Sequence, residues 1–551
     1  MKVFGVVVVV EDSMVVLVVE VDRTVVDVVL VVGIVVVVVV EGGGDTTTGA
    51  HDVWNLGLVL AGESTIGVTA RVRVVTIVRI EACRSSVRSR WFTPTNLLDR
   101  ECTFGRSCPG PWEYAILRWQ QSDDRGDRVA DEYDESAHPF IGLLPTGSSL
   151  DAKGTLRVGG CSLVDLAKTF GTPLYVLDET ALRTRAQEFR AALSSEWGRG
   201  MVYFASKAFP ASAMYQLMAE EGVGADVAGA GELVMALKGG ILPENVLLHG
   251  NAKTSAELSM ALEVGVGTIV IDNFDDIDRL EQLAQHRQNV LIRVIPGVKP
   301  RTHDAIATGQ HGSKFGLARV DALEAIRRVR ASKVLRLEGL HVHIGSQIAD
   351  LEPFAEAVES ISSLGEFETY DLGGGLAERY SYVDTVPTPG EWVAALASAA
   401  MVHLPRDARL LIEPGRSMVA RSGLTLYRAI TVKHGEPTFV ALDGGMGDNL
   451  EVSLYGQRFE ASVVERLGDG PPVELVGHHC ESGDVLVSGA RLCDPRVGDV
   501  VAVAVTGAYC FTMANNYNGA LRPPVVFCRD GVASLRVRRE TFDDLVRRDA
   551  P

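Results

Sequence analysis

Lys207 closes the stretch "MVYFASK", where one cation follows a short apolar run and precedes Phe209 and Pro210. A lysine in an apolar pocket at a strand end loses hydration, which lowers its pKa and frees the amine as a nucleophile toward an aldehyde. The alternative is a lysine that reaches solvent along its apolar stem or pairs with a carboxylate. Other residues able to do chemistry follow apolar runs in the same way. Asp226 follows "GA", His249 and Asn251 follow "VLL", His343 follows "GLHV", Gly373, Gly374 and Gly375 follow "YDL", and Glu413 and Arg416 follow "LLI". Closely spaced backbone N–H groups without side chains, as in "DLGGG", suit a phosphate, although glycines also make plain turns. Glu413 in "IEPGRS" could face a protonated ring nitrogen, as an electron-sink cofactor requires, or form an ordinary pair with arginine. His343 could stack on a flat ring or pack as a core histidine. Taken together, these groups offer aldehyde capture, a phosphate cradle and a partner for a pyridine.

Such residues need a scaffold that brings strand ends together. From Thr172 onward, short apolar runs ("PLYVL", "MVYFA", "GADVA", "NVLLHG", "TIVID", "VLIRV", "LEGLHVHIG", "ETYDLGGG", "RLLIEPG") alternate with amphipathic stretches such as "DETALRTRAQEFRAAL". Alternating strands and helices predict a parallel sheet covered by helices, and about eight such units predict a (β/α)8 barrel whose site lies at the carboxyl ends of its strands. After Glu413 the pattern becomes short alternating runs with glycine turns, which predicts an antiparallel β-domain. The expected organisation is a segment 131–171 pairing with the β-domain, a barrel over 172–411 and a β-domain over 412–551.

Residues 1–130 have a different texture. The first forty are dominated by valine interrupted by acids, and the stretch from "EGGGDTTTG" to about Glu135 has no sustained period of 2 or 3.6. The run Val28–Val40 is shorter than the roughly 20 residues a membrane helix needs. Only Lys2 precedes the first apolar stretch, which argues against a signal peptide. This segment reads either as an aggregation-prone β-rich stretch or as an over-extended reading frame that is not part of the working protein.

The chain has 551 residues, 46 % of them hydrophobic, enough for more than one core. A formal net charge of −18 excludes nucleic acid as the expected partner. Eight scattered cysteines without a C-x-x-C pair fit neither a disulfide scaffold nor a zinc site, so a reducing cytoplasm is expected, with no metal and no membrane partner.

The span from about His138 to about Asp544 resembles the diaminopimelate decarboxylases, pyridoxal-phosphate enzymes of the alanine-racemase-like fold. The resemblance rests on ordered blocks: "FASKA", "GADVAGAGEL", "HGNAKT", "IPGVKPRTHDAIATGQHGSKFGL", "GLHVHIGSQI", "DLGGG", "EPGRS", "DGGMGDN", "HHCESGD" and "GAYCFTMANNYNG". It implies that Lys207 bonds the aldehyde of pyridoxal 5'-phosphate, that His343 stacks on the ring with Ser346 nearby, and that Glu413 faces the ring nitrogen, with Asp226 among the cofactor-binding residues. Gly374, Gly375, the "EPGR" backbone (Glu413, Pro414, Gly415, Arg416) and Tyr509 would hold the phosphate. Arg416, Tyr455, Glu481 and Tyr509 would meet the substrate. Cys480 and Glu481 would reach the site of the other subunit, with Cys480 as proton donor, so the active unit would be a homodimer with shared sites. Without its surrounding block, Cys480 would read as a small buried apolar residue.

One position departs from the resemblance. Glu451, in "GMGDNLEVSLYGQ", stands where an arginine that grips the distal end of the substrate is expected. An anion there would repel a distal carboxylate. The leading expectation is decarboxylation of meso-diaminopimelate to L-lysine. Decarboxylation of ornithine, lysine or arginine is the alternative that Glu451 favours, and a catalytically dead regulator of the same fold is a third.

Overall fold

The computed structural model describes residues 138–302, 308–310 and 312–550, together with the backbone of six strands nearer the N-terminus. The chain divides into two units, Met1–Gly110 and Pro111–Pro551. In the first, Val3–Val6, Val15–Val21 and Thr24–Val31 form one antiparallel sheet, while Val36–Gly42, Thr65–Ile66 and Ala70–Thr76 form another. The remainder of the extension expected over 1–130 lies outside the described residues.

In the second unit, eight parallel strands close into a barrel: Gly200–Ala205, Gly224–Val227, Val246–Leu248, Thr268–Ile271, Gln288–Arg293, Leu335–His341, Thr369–Asp371 and Arg409–Ile412. Side chains alternate across a strand, so each strand divides its residues between two cores. Val202, Phe204, Val246, Leu248, Ile269, Ile271, Val290, Ile292, Leu410 and Ile412 join the large core that includes the helices. Tyr203, Leu247, Val270, Leu291 and Leu411, one residue out of phase with these, form a separate cluster that fills the barrel interior. The helices are fastened by capping where polar residues precede them. Thr254 and Glu257 form a capping box on Ser255–Val264, and Thr388 and Glu391 form one on Pro389–His403. Trp392, fully buried on Pro389–His403, meets Phe189 and Phe354 in T-shaped pairs at 5.9 and 5.7 Å between ring centroids.

The second sheet has nine strands and is mostly antiparallel. Its long strand Gly423–Lys433 pairs antiparallel with Phe439–Leu442, with Val500–Ala504 and with Leu174–Asp178. This last strand corrects one expectation. The run "PLYVL", read as a barrel strand within 172–411, lies instead in the second sheet, between Gly423–Lys433 and the parallel strand Val525–Arg529. All five residues of Leu174–Asp178 are buried, and a short apolar run buried on both faces looks the same in either kind of sheet. The eight remaining runs supply the eight barrel strands. Upstream, the short strands Ser149–Leu150, Leu156–Val158 and Cys161–Ser162 form a small sheet of their own, and Leu156 N–H donates to Val464 O at 3.2 Å.

Candidate active site

The inward phase of the barrel changes chemistry at its carboxyl end. Two residues beyond the interior cluster, or level with it by strand register, the inward positions are Asp226, His249, Asp272, Arg293, His341, Asp371 and Glu413. Seven strands thus contribute an ionisable group to one layer, all of them buried, and the first strand contributes Ala205. Lys207 stands two residues above Ala205 in the turn Ser206–Ala208 and is exposed. An apolar pocket was expected around it; its surroundings are ionic instead, for its charge acts on Asp226 and His343.

Glu413 is the hub of this layer. Its Oε1 lies 2.7 Å from His249 Nε2 and its Oε2 lies 3.3 Å from His341 Nε2, while His249 Nε2 is 3.7 Å from Asp226 Oδ1. Burial alone would raise the Glu413 carboxyl, but the two imidazoles overcome it and hold the group well below the usual carboxylate range. Burial, then the charge on Glu413, pushes Asp371 well above that range, so the adjacent carboxyls carry one negative charge between them. Burial raises Asp226 as well. Burial opposes charge on His249, yet Glu413 and Asp226 outweigh it and raise its pKa. His341, also buried, is lowered to about 4. Glu413 is therefore ionised while its second histidine stays neutral near pH 7.

The glycine turn lies against this layer. Gly373 and Gly375 have φ of 67° and 119°, and a Cβ on Gly373, Gly374 or Gly375 would strike the carbonyl oxygen of Val342, Glu413 or Gly345, respectively. Only glycine fits all three positions. His343, partly buried, accepts the Gly374 N–H on Nδ1 at 3.2 Å, and burial followed by the Lys207 charge lowers its pKa well below the ordinary value. Pro414 O accepts the Ala205 N–H at 3.3 Å, and Gly415 packs where a Cβ would meet Ala205 and Ala208 at 3.0 and 3.4 Å. The "EPG" segment is thereby fixed against the residues that flank Lys207.

Arg416 is buried. Its Nε donates to Ser346 Oγ at 3.2 Å, its Nη1 donates to Tyr380 Oη at 2.6 Å, and its guanidinium lies 4.5 Å from the centroid of the Tyr509 ring. Tyr509 takes φ of 63° and donates its N–H to Ala208 O at 2.8 Å, which carries it to the same rim. Glu451, 1 % exposed, opens the short helix Glu451–Tyr455 and lies 3.1 Å from Arg416 Nη1. Tyr455 is partly buried on this helix, and burial followed by the Glu451 charge raises its pKa.

Cys480 and Glu481 are set apart from this assembly. Both are exposed; Cys480 N–H donates to Asn518 Oδ1 at 2.9 Å and Glu481 Oε2 accepts from Tyr517 Oη at 3.4 Å. Asp484 holds their loop, accepting from Met446 N–H at 2.7 Å and His479 N–H at 2.9 Å. Thus Lys207, Asp226, His343, Ser346, the glycines, Glu413, Arg416 and Tyr509 converge within one chain, whereas the hydrogen bonds of Cys480 and Glu481 stay within the second domain.

The geometry also adds residues that motif reading passed over. His341, Arg293, Asp272 and Asp371 belong to the ionic layer, and His249, noted only for its strand end, touches Glu413. The i, i+2 histidines of "HVH" were a usable signal, since a strand points both to one face. Arg293 Nη1 sits 3.8 Å from Asp272 Oδ1, a pairing between neighbouring strands that no local spacing announces.

Residues 179–420 match the family described as "Pyridoxal-dependent decarboxylase, pyridoxal binding domain". The diaminopimelate decarboxylase of Actinosynnema pretiosum subsp. auranticum is 48 % identical over 426 residues, which cover 74 % of this chain and 95 % of that one. The diaminopimelate decarboxylase of Bacillus subtilis is 42 % identical over 420 residues, covering 72 % and 96 %. Among solved structures, the diaminopimelate decarboxylase from M. jannaschii in co-complex with L-lysine has a TM-score of 0.70 at 30 % identity, covering 74 % of this chain and 98 % of that one. With near-complete coverage of these relatives and a barrel whose strand ends carry the matching motifs, this chain belongs to the diaminopimelate decarboxylase family.

Proposed function

We propose that the chain uses pyridoxal 5'-phosphate to decarboxylate meso-2,6-diaminopimelate, releasing carbon dioxide and leaving L-lysine. The observation that carries this reading is Glu413, buried and ionised in the barrel mouth from which Lys207 rises. The cofactor fits on two counts. A Cβ at any of Gly373, Gly374 or Gly375 would strike backbone, so the turn stays bare for a phosphate, and Glu413 Oε1 is buried without a hydrogen bond in good alignment.

Lys207 would bond the cofactor aldehyde, His343 would lie on the ring face, Glu413 would take the ring N–H, and Asp226 would complete the lining. Ser346, the glycine turn, the Pro414–Gly415–Arg416 backbone and Tyr509 would hold the phosphate end. Pyridoxal phosphate, when bound, supplies an electron sink for the pair left on Cα as carbon dioxide departs. The chain's share is orientation and proton control. His249 and His341 keep Glu413 anionic, Asp371 retains its proton so that the layer does not accumulate a second charge there, and Lys207 can accept or return a proton above the layer. Arg416, Tyr455 and Tyr509 would orient the substrate.

Cys480 is assigned the proton delivered to Cα, and Glu481 a substrate contact, both in the site of a second copy, so that the working unit is a homodimer. Their exposure, together with a loop held firmly by Asp484, supports this reading. The reaction is assigned to a reducing cytoplasm because Cys480 donates a proton only as the thiol.

Incubating the holoenzyme with meso-diaminopimelate, ornithine, lysine and arginine tests the proposal, with carbon dioxide and L-lysine measured as products. Release of L-lysine from diaminopimelate is expected; turnover of ornithine, lysine or arginine alone would overturn it. The buried anion Glu451 is the one observation that favours that second reading.

A further inference from the structure

The contacts of Arg416 leave one edge of its guanidinium uncommitted. Ser346 takes Nε, and Tyr380 and Glu451 share Nη1, while Nη2 has no hydrogen bond among the described residues. Glu451 has a matching open position. Its Oε1 is within ion-pair distance of Arg416, yet this buried oxygen has no aligned hydrogen-bond donor. A donor and an acceptor, each short of a partner, therefore stand side by side on a pair of opposite charges.

The pair belongs to the mouth of the barrel. Gly415, next to Arg416, packs on Ala205 and Ala208, which bracket Lys207, and Tyr509, whose ring lies against the guanidinium, donates its backbone N–H to Ala208 O. We propose that Glu451 takes, through Oε1, the ammonium of the amino-acid end of the substrate that does not react, beside Arg416, already assigned to the substrate, whose Nη2 faces that end's carboxylate. This rests on the reading of the substrate given above and assigns Glu451 as a specificity residue.

Charge complementarity supports the assignment. Before substrate arrives, the two side chains neutralise each other, which allows a carboxylate to remain almost fully buried. A ligand end carrying both charges meets both partners. An end with only an ammonium leaves Nη2 bare, and an end with only a carboxylate is pressed against Glu451 without compensation. Glu451 thus rejects a lone distal carboxylate while accepting one accompanied by an ammonium, which removes the conflict raised by an anion at this position.

The test compares native holoenzyme and Glu451→Gln on meso-diaminopimelate and on 2-aminopimelate, which keeps the distal carboxylate but lacks the distal ammonium. For diaminopimelate, Glu451→Gln should lower kcat/KM about 30-fold or more, chiefly through KM, the scale of a lost charge-assisted hydrogen bond. For 2-aminopimelate the same substitution should leave kcat/KM unchanged or raise it. Equal losses on both substrates would make Glu451 a merely structural partner of Arg416 and overturn the proposal, as would no loss on diaminopimelate. Should Glu451→Gln fail to fold, the native enzyme decides: it should prefer diaminopimelate strongly, and equal turnover of the two substrates would overturn the receptor while leaving the decarboxylase reading intact. Native enzyme inactive on diaminopimelate but active on lysine would overturn both.

Discussion

Lys253 Nζ lies 2.7 Å from Asp276 Oδ2 in the protein interior, with both side chains at most 2 % exposed. The same ammonium donates to Gly250 O at 2.6 Å and Val270 O at 2.8 Å, so its three donors are used to pin the loop after the third barrel strand. Burial lowers its pKa, but no lone pair on it is offered to a ligand while these acceptors hold it. The exposed Lys207 differs in this respect, and the two lysines are not interchangeable.

Lys207→Ala should therefore abolish covalent attachment of pyridoxal phosphate, with no rescue by Lys253. Borohydride reduction followed by peptide mass analysis checks this; cofactor fixed to another lysine of the variant would refute the assignment.

Gly374→Ala forces a methyl group onto Glu413 O. The clash should cost about 1–3 kcal/mol, as overpacking does. Because the obstructed atoms adjoin both Glu413 and the glycine turn, cofactor content should fall more sharply than the melting temperature. A variant that melts early but retains full cofactor occupancy would place the strain elsewhere.

How much of this site could be read beforehand depends on the range of each interaction. The alternation of apolar runs with helical stretches exposed eight barrel strands, because side-chain period is a local property. Lys207, Glu413 and Gly373–Gly375 were legible because each sits where an apolar run ends. The assignment of Leu174–Asp178 to a sheet was not legible, since its partners begin at Gly423 and Val525. Nor was the hub at Glu413, whose histidines lie 72 residues upstream in the case of His341 and farther still for His249. Glu451 looked like a mismatch in one dimension, and only its contact with buried Arg416 shows what compensates it.

Acid sensitivity should report on His341. Its folded pKa of about 4 lies below an unfolded value near 6.5, so the unfolded chain binds a proton that the folded chain refuses. The contribution of His341 to stability is complete above about pH 6.5 and is lost as pH falls toward about 4, on the order of 3 kcal/mol in all. His249 has the opposite sign, its contribution fading as pH rises through its raised pKa. Thermal melts of cofactor-stripped protein should thus fall less steeply between these pH values in His341→Gln than in the native chain; parallel curves would contradict this.

If Cys480 serves the neighbouring subunit, mixing inactive Lys207→Ala with inactive Cys480→Ala should restore part of the activity. One of the two sites in each mixed dimer would hold both native groups. Mixtures that stay inactive after subunit exchange has been demonstrated would assign the complete site to one chain.

Removing the residues before Val129 should leave turnover and melting unchanged, because the motif blocks and residues 179–420, which match the pyridoxal-binding family, all lie downstream. Activity and calorimetry of the shortened chain check this; loss of either would give the extension a structural role.

The position of Leu174–Asp178 also has a consequence for biogenesis. This strand emerges from the ribosome before the barrel, yet its antiparallel partner begins only at Gly423 and its parallel partner at Val525. At 5–20 residues per second, translating from Asp178 to Gly423 takes roughly 10 to 50 s. Throughout that interval a five-residue strand, apolar except for Asp178 and wholly buried in the finished protein, waits without its edges covered. The nascent chain therefore depends on holding this strand clear of other chains until the barrel has been made, and polypeptides interrupted just after the eighth barrel strand should aggregate even though every barrel strand has been synthesised.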